Sequence, residues 1–231
     1  MSGCKTRAHV AVMFAFLVGA TSAASAERPR LDLVWSDPTD IAAGTFTTVA
    51  TESRKLLSAT GAEVTWTAAP RGAVVGPESI VVIAIPTYPT GLNRDRHVMG
   101  ATRMVADGAL AVWVFPDQVA WALGLDLGLR RSWGERTERS FGLAIARVAS
   151  HEVVHALGAA SHARSGLMTP RLDRNALTAP NLRIDGATVA ALRRSFDRGA
   201  RLADRTWTPS LLRGGPVTAA AELVAAPGSN H

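Results

Sequence analysis

The sequence is poor in cysteine, tyrosine and lysine. Its 231 residues include one cysteine, Cys4, and one tyrosine, Tyr88. Cys4 lies in a segment that we interpret as a signal peptide, so the rest of the chain has no thiol. No disulfide can form there, and no cysteine can act as a blocking ligand that keeps a precursor silent. A chain of this length with 47% hydrophobic residues is still large enough to fold around one core without disulfides.

The sequence also lacks a long apolar run. The longest candidate, Val10 to Ala20, is shorter than the ~20 residues that a membrane-spanning helix requires. Lys5 and Arg7 precede it, and Ala24-Ser25-Ala26 follows it as a cleavage site. We predict a signal peptide at residues 1–26, a secreted or periplasmic protein, and no stable membrane insertion after cleavage. An uncleaved anchor is the alternative.

The positive charge of the chain comes almost entirely from arginine, because Lys5 and Lys55 are the only lysines. The net charge is +6. A basic chain can bind nucleic acid or an acidic envelope surface. The arginines are scattered, however, and pairs such as Arg130-Arg131 are too short to form a basic run. We therefore predict no nucleic-acid partner and interpret the charge as a solvated surface.

The periodicity predicts an α/β fold, strictly α+β, in a single domain over residues 27–205. Apolar alternation or continuous apolar runs predict strands at Leu31–Trp35, Glu63–Thr67, Ile80–Ile85 and Ala109–Phe115. Helical spacing predicts helices from Phe46 to Gly61, from Phe141 to Leu157, and after Asp185. The helix between the first two strands makes them parallel. Residues 206–231 are rich in Gly, Pro, Ala and Ser and predict a flexible C-terminal tail.

The second of these helices carries the motif His-Glu-x-x-His. Residues four apart lie on the same face of a helix, so His151 and His155 can direct two imidazole nitrogens at one point. This arrangement suits tetrahedral Zn²⁺. Glu152 lies beside His151 and can reach a water on the metal as a general base without being a ligand. The alternative is a buried helix whose histidines only satisfy hydrogen bonds.

Gly158 can end this helix in a left-handed turn, after which the chain can return and offer His162 as a third ligand. A downstream glutamate ligand is excluded, because none occurs between Glu152 and Glu222. A downstream aspartate, Asp173 or Asp185, would have to displace a nearby histidine.

His151-Glu152-x-x-His155-x-x-Gly158, His162 and Met168 together resemble the metzincin clan of zinc endopeptidases. The segment Ser165 to Pro170 resembles the Met-turn of that clan, and its ending is most similar to the matrixin branch and to bacterial secreted matrixin-like proteins. In the clan the methionine lies beneath the metal site. The usual third histidine would fall at Ser161 here. Because serine is a poor zinc ligand, we assign the role to His162 in a loop that is one residue longer.

The resemblance implies a metzincin-like fold: a twisted mixed sheet on two long helices, then a small C-terminal subdomain with the Met-turn and a last helix. In metzincins, an edge strand that runs against the others pairs with the substrate backbone. Ala109–Phe115 is our candidate for that strand, and an ordinary hairpin strand is the alternative. His97 and Tyr88 are further polar candidates: His97 could join the site or bind a second metal, although we favour a surface or hydrogen-bonded histidine, and Tyr88 could stabilise an oxyanion.

The predicted function is a monomeric zinc endopeptidase that hydrolyses protein or peptide substrates, with a metal-activated water and Glu152 as general base. The alternative is an inactive zinc-binding structural or interaction protein of the same fold, for which the longer loop before His162 is the best support. A basic nucleic-acid or envelope binder with a structural zinc helix is the third hypothesis.

Overall fold

The fold is described from a computed structural model, which covers residues 28–70, 73–75, 79–86, 97–104, 110–159, 161–203 and 217–218. The predicted signal peptide, Tyr88 and nearly all of the predicted tail lie outside these residues. Seven strands and five α-helices occur in the described part. They are β1 (Arg30–Ser36), α1 (Phe46–Leu57), β2 (Glu63–Ala68), β3 (Val74–Val75), β4 (Ile80–Ala84), β5 (Gly100–Met104), β6 (Leu110–Val114), α2 (Pro116–Ala122), α3 (Glu135–Ala156), α4 (Arg174–Thr178), α5 (Gly186–Ala203) and β7 (Val217–Thr218).

The main sheet has five strands in the order β2-β1-β4-β6-β5. The first four strands are parallel, with β1 beside β2 as predicted. Strand β5 runs antiparallel to β6 and forms one edge, with Thr102 opposite Val112. The predicted α/β class with a mixed sheet is therefore confirmed. A separate two-stranded ribbon joins β3 to β7.

The prediction that Ala109–Phe115 is the antiparallel edge strand is wrong. That segment contains β6, which lies inside the sheet between β4 and β5 and runs parallel to β4. The antiparallel edge is β5, a segment that the sequence did not predict as a strand. Its residues Gly-Ala-Thr-Arg-Met show no clear alternation, and its extended conformation depends on pairing with β6.

Both faces of the sheet are buried, because successive apolar side chains of a strand point to opposite faces. In β4, Ile80, Val82 and Ala84 join the core that contains the helices, whereas Val81 and Ile83 join a second cluster with Trp113 of β6. All five residues of β4 are buried, as the continuous apolar run predicts.

Helices α1 and α3 cover the first face and pack closely on each other. A Cβ at Gly142 of α3 would lie 3.1 Å from the side chain of Thr48 of α1, so the glycine allows this approach. Helix α3 is buried over most of Phe141–Val154, whereas its first turns are exposed or half-buried, and it carries the histidine motif in its last two turns. Within the described residues, no helix is both long enough and apolar enough to cross a membrane.

Candidate metal centre

Helix α3 places His151 and His155 one above the other. The Nε2 atoms of the two rings lie 3.0 Å apart. The helix ends at Ala156 with Leu157 as its C-cap, and Gly158 follows with φ +96°, a conformation that residues with a Cβ rarely adopt. The amide of Ala159 donates to the carbonyl of Val154, so the chain reverses at once after the motif.

The reversal brings His162 back to the helix. Its Nε2 lies 3.3 Å from that of His155, and one ligand atom from each of the three histidines lies within 4.8 Å of the others. A tetrahedral zinc site with Zn–N bonds of 2.0–2.1 Å has edges of roughly 3.3 Å between ligand nitrogens, so the spacing of His155 to both neighbours suits this metal. Ser161 is exposed and does not belong to the group.

Main-chain carbonyls hold the outer nitrogens of two rings. The Nδ1 of His151 lies 2.7 Å from the carbonyl oxygen of Leu167, and the Nδ1 of His155 lies 2.6 Å from that of Ala159. A carbonyl only accepts, so each Nδ1 carries the proton and each neutral ring presents its Nε2 lone pair. Two lone pairs facing each other at 3.0 Å repel unless a cation lies against both. The donor set and its tautomers therefore fit a divalent metal.

Burial keeps His151 in the neutral form that a metal ligand requires. Its side chain is buried, and burial lowers the pKa of His151 to about 4 against an ordinary value of 6.5. The hydrogen bond to Leu167 opposes the shift without cancelling it. Near neutral pH the Nε2 atom of His151 is therefore free of a proton.

The turn around Gly166 supplies the carbonyl that orients His151. Gly166 has φ +82°, and a Cβ there would lie 2.5 Å from the main-chain oxygen of Arg183, so only glycine fits. The Leu167 amide donates to that same Arg183 oxygen at 2.7 Å, and the Ala163 amide donates to the carbonyl of Met168 at 2.7 Å. Leu167 and Met168 are fully buried in the core. The turn lies within Ser165 to Pro170, the segment that we predicted as a Met-turn.

Glu152 stands beside the three histidines but outside their ligand group. Its Oε2 accepts a hydrogen bond from the hydroxyl of Thr102 in β5 at 2.9 Å, and the same hydroxyl lies 2.7 Å from the Glu152 carbonyl oxygen. Burial raises the pKa of the Glu152 carboxyl above its ordinary value, and the Thr102 hydrogen bond opposes the rise. A raised pKa suits a carboxylate that must accept a proton near neutral pH.

Strand β5 packs directly against this carboxylate. A Cβ at Gly100 would lie 2.8 Å from Cγ of Glu152 and 2.8 Å from a methyl carbon of Val148. Gly100 and Thr102 therefore fix the position of Glu152 from the sheet side. Sequence reasoning missed both, because they are about 50 residues away along the chain and their strand was not predicted.

A cavity of about 300 Å³ lies in front of the imidazoles. The three histidines, Glu152 and residues 169–172 line it, together with residues 97–100 leading into β5. His97 is therefore at the cleft, as one prediction had it, but it is not in the three-histidine group and instead packs edge-to-face on Trp121 at 5.4 Å.

The two aspartates that could have replaced a histidine ligand serve as helix caps. An oxygen of Asp173 accepts from the Ala176 amide at 2.8 Å at the start of α4. Asp185 accepts from the amide and the hydroxyl of Thr188 at the start of α5, as predicted for this helix. Neither belongs to the metal-ligating group.

The choice of third ligand is tested by zinc binding. We expect His162→Ala to lower zinc affinity by more than about 100-fold, because it removes one of three protein ligands. Ser161→Ala is the matched control and should bind zinc like the wild type. Competition titration with a chromogenic chelator measures both, and loss of zinc from the serine variant alone would reverse the assignment.

No protein-family model matches the chain, and no curated protein matches it. Among solved structures, the chain is similar to archaemetzincin from Methanopyrus kandleri, with 14% sequence identity and a TM-score of 0.48. The match covers 74% of this chain and 97% of that one. Assignment of the site's chemistry depends on the three imidazoles, their carbonyl partners and the neighbouring carboxylate.

Proposed function

We propose that the chain is a zinc-dependent endopeptidase in which His151, His155 and His162 hold the metal and Glu152 is the general base. One observation carries the proposal: three convergent Nε2 atoms and a carboxylate outside the ligand group face one open cavity. A structural zinc site has four protein ligands and no open position, whereas a catalytic site has three and leaves one for water or substrate.

A zinc ion bound to the three Nε2 atoms would polarise a substrate carbonyl and lower the pKa of water to about 7. Glu152 accepts a proton from the attacking water while the water oxygen forms a bond to the peptide carbonyl carbon. When the C–N bond breaks, Glu152 returns the proton to the departing amine nitrogen. The water's oxygen and one hydrogen end on the new carboxyl group, and its other hydrogen ends on the new amine.

Thr102 positions the base for both proton transfers. Its hydroxyl binds Oε2 of Glu152, and within the described residues no other side chain hydrogen-bonds to this carboxylate. Holding one oxygen leaves the other to exchange protons in the cleft. The carboxylate would otherwise rotate about its last bond, and a misplaced base reduces the rate.

The role of Thr102 predicts a specific pattern across three variants. Thr102→Val keeps the shape but removes the hydroxyl, and we expect kcat to fall roughly tenfold, in line with a lost hydrogen bond to a charged group. Thr102→Ser should restore most of kcat, and zinc content should stay unchanged in both. A valine variant with wild-type kcat would contradict the positioning role.

The proposed function itself is tested by hydrolysis of casein and of a mixed peptide library. Activity should require zinc: a chelator should abolish it and added zinc should restore it. The competing proposal is an inactive zinc-binding protein of the same fold, supported by the longer loop before His162. Stoichiometric zinc without any cleavage would favour the inactive zinc-binding protein.

Export through residues 1–26 is also part of the proposal. It is tested by sequencing the N-terminus of the mature protein, which should begin at Glu27.

A further inference from the structure

A second cavity of about 320 Å³ adjoins the cleft in front of the imidazoles. The two cavities share four lining residues, His97, Met99, Arg171 and Leu172. Trp121 of α2 and Arg174 of α4 lie beyond them. Because the cavities adjoin, a peptide bound at the metal centre would place one of its side chains near α2 and α4.

This second cavity is positively charged. Arg171 and Arg174 are both exposed, and neither forms an ion pair with any part of the chain that the structure describes. The acidic residue between them, Asp173, uses its carboxylate to cap α4. Asp173 also lines the cavity and keeps its negative charge, so the two arginines and one carboxylate give the lining a net positive charge.

The floor of the same cavity is apolar. Met99 and Leu172 are buried, and Trp121 is one of two large hydrophobic side chains exposed by more than a third among the described residues, at 42%. Such a surface accommodates the methylene groups of a side chain, while the guanidinium groups bind its end. The combination matches Glu or Asp and disfavours Lys or Arg.

We propose that this cavity, the arginine subsite lined by His97, Trp121, Arg171 and Arg174, binds an acidic side chain of the substrate. The inference rests on the proposed function, because it assumes that a peptide occupies the adjoining metal cleft. It makes the enzyme selective for sequences with Glu or Asp at one fixed position relative to the cleaved bond. The substrate class is then a protein or peptide with acidic residues near its cleavage sites.

The first test compares cleavage of matched peptides. In a series with one Glu, Gln or Lys moved through each position, we expect one position at which kcat/KM for Glu exceeds that for Gln by roughly fivefold to tenfold, as for a partly solvated ion pair. Lys at that position should be the poorest substrate. Equal rates for the three residues at every position would overturn the inference.

Variants assign the preference to the subsite. Arg171→Gln and Arg174→Gln should each reduce the Glu-to-Gln ratio towards one, and the double variant should abolish the preference. Arg131→Gln removes the same charge from a residue that lines a different cavity, and it should leave the ratio unchanged. Because each ratio is measured within one variant, it does not depend on how well that variant folds. An unchanged ratio in both Arg171→Gln and Arg174→Gln would overturn the assignment.

Binding to an inactive variant separates this inference from the proposed function. Zinc-loaded Glu152→Gln protein should bind a fluorescent Glu peptide more tightly than its Gln counterpart, measured by anisotropy, and the difference should shrink in high salt. If wild-type protein binds with this preference but cleaves nothing, the proposed function fails and the subsite stands. If it cleaves without preference, the subsite fails and the proposed function stands.

Discussion

Glu152→Gln is expected to lower kcat/KM for peptide hydrolysis by roughly 10²–10⁴-fold while leaving zinc bound. Glutamine has the size of glutamate, and its amide oxygen can still accept the hydrogen bond from Thr102. It cannot accept a proton from water. The three Nε2 atoms lie outside this change, so metal content should match that of the wild type.

The matched control for this variant is Glu135→Gln, on the first turn of the same helix. Glu135 is exposed and, among the residues that the structure describes, forms its ion pair with Arg139 at the surface, so the Glu135→Gln variant should have unchanged activity. Kinetics on one fluorogenic peptide and zinc analysis of the same samples give both readouts. Undiminished cleavage by Glu152→Gln would rule out the base assignment. Loss of zinc from it would mean that Glu152 is a ligand.

Arg147→Met is expected to lower the free energy of unfolding by about 3–5 kcal/mol. The Arg147 side chain is 2% exposed and lies one turn before His151 on α3. Its guanidinium group donates to Glu52 of α1 at 3.1 Å, and to the carbonyl oxygens of Leu177 at 2.7 Å and Ala179 at 2.6 Å. It also donates to the carbonyl oxygen of Ala176 at 3.1 Å, so its removal takes the donor from one buried carboxylate and three carbonyls.

For a domain of this size, that change corresponds to a melting temperature lower by about 6–20 °C. Arg139→Gln, which breaks only the exposed pair with Glu135, is the control and should change stability by less than about 1 kcal/mol. Adding Glu52→Met to Arg147→Met should recover part of the loss, because the buried carboxylate then disappears as well. A single Arg147→Met variant that melts within 2 °C of the wild type, a limit of roughly 1 kcal/mol, would contradict this account.

The contacts of Arg147 could not be predicted from the helical pattern around it. From the sequence it is a polar interruption in an otherwise apolar helix. In the structure it joins α3 to α1, to α4 and to the residue after α4, through contacts with residues 29–95 positions away. Because α4 begins at Arg174, Arg147 connects the metal-binding helix to an element that lines the arginine subsite.

The histidine motif was predictable because its geometry is local. Helical spacing alone places His151 above His155, and Gly158 marks the reversal that brings His162 to the same point. The structure brings these three residues together as the sequence analysis expected. Their metal occupancy and the choice of His162 over Ser161 remain predictions until zinc is measured.

The edge strand and its contacts were not predictable in the same way. Gly100–Met104 is short and lacks an alternating pattern, so its identity as a strand comes from β6. Thr102 and Gly100 act on Glu152 across about 50 residues of sequence. We also predicted the edge strand at Ala109–Phe115, which is internal. The apolar pattern of a strand does not show whether it lies inside a sheet or at its edge.

The groups that orient His151 and His155 belong to the peptide backbone, at Leu167 and Ala159. Every amino acid carries such an oxygen, so no exchange of side chain at those two positions deletes the acceptor. The orientation and tautomer of these two imidazoles therefore depend on the course of the backbone. Among the described residues, no acidic side chain serves as their Nδ1 partner, so a search of the sequence for such a residue would not find the interaction. The course of the backbone is set by the left-handed turns at Gly158 and Gly166, so substitutions at these two glycines should disturb the imidazoles more than substitutions at Leu167 or Ala159.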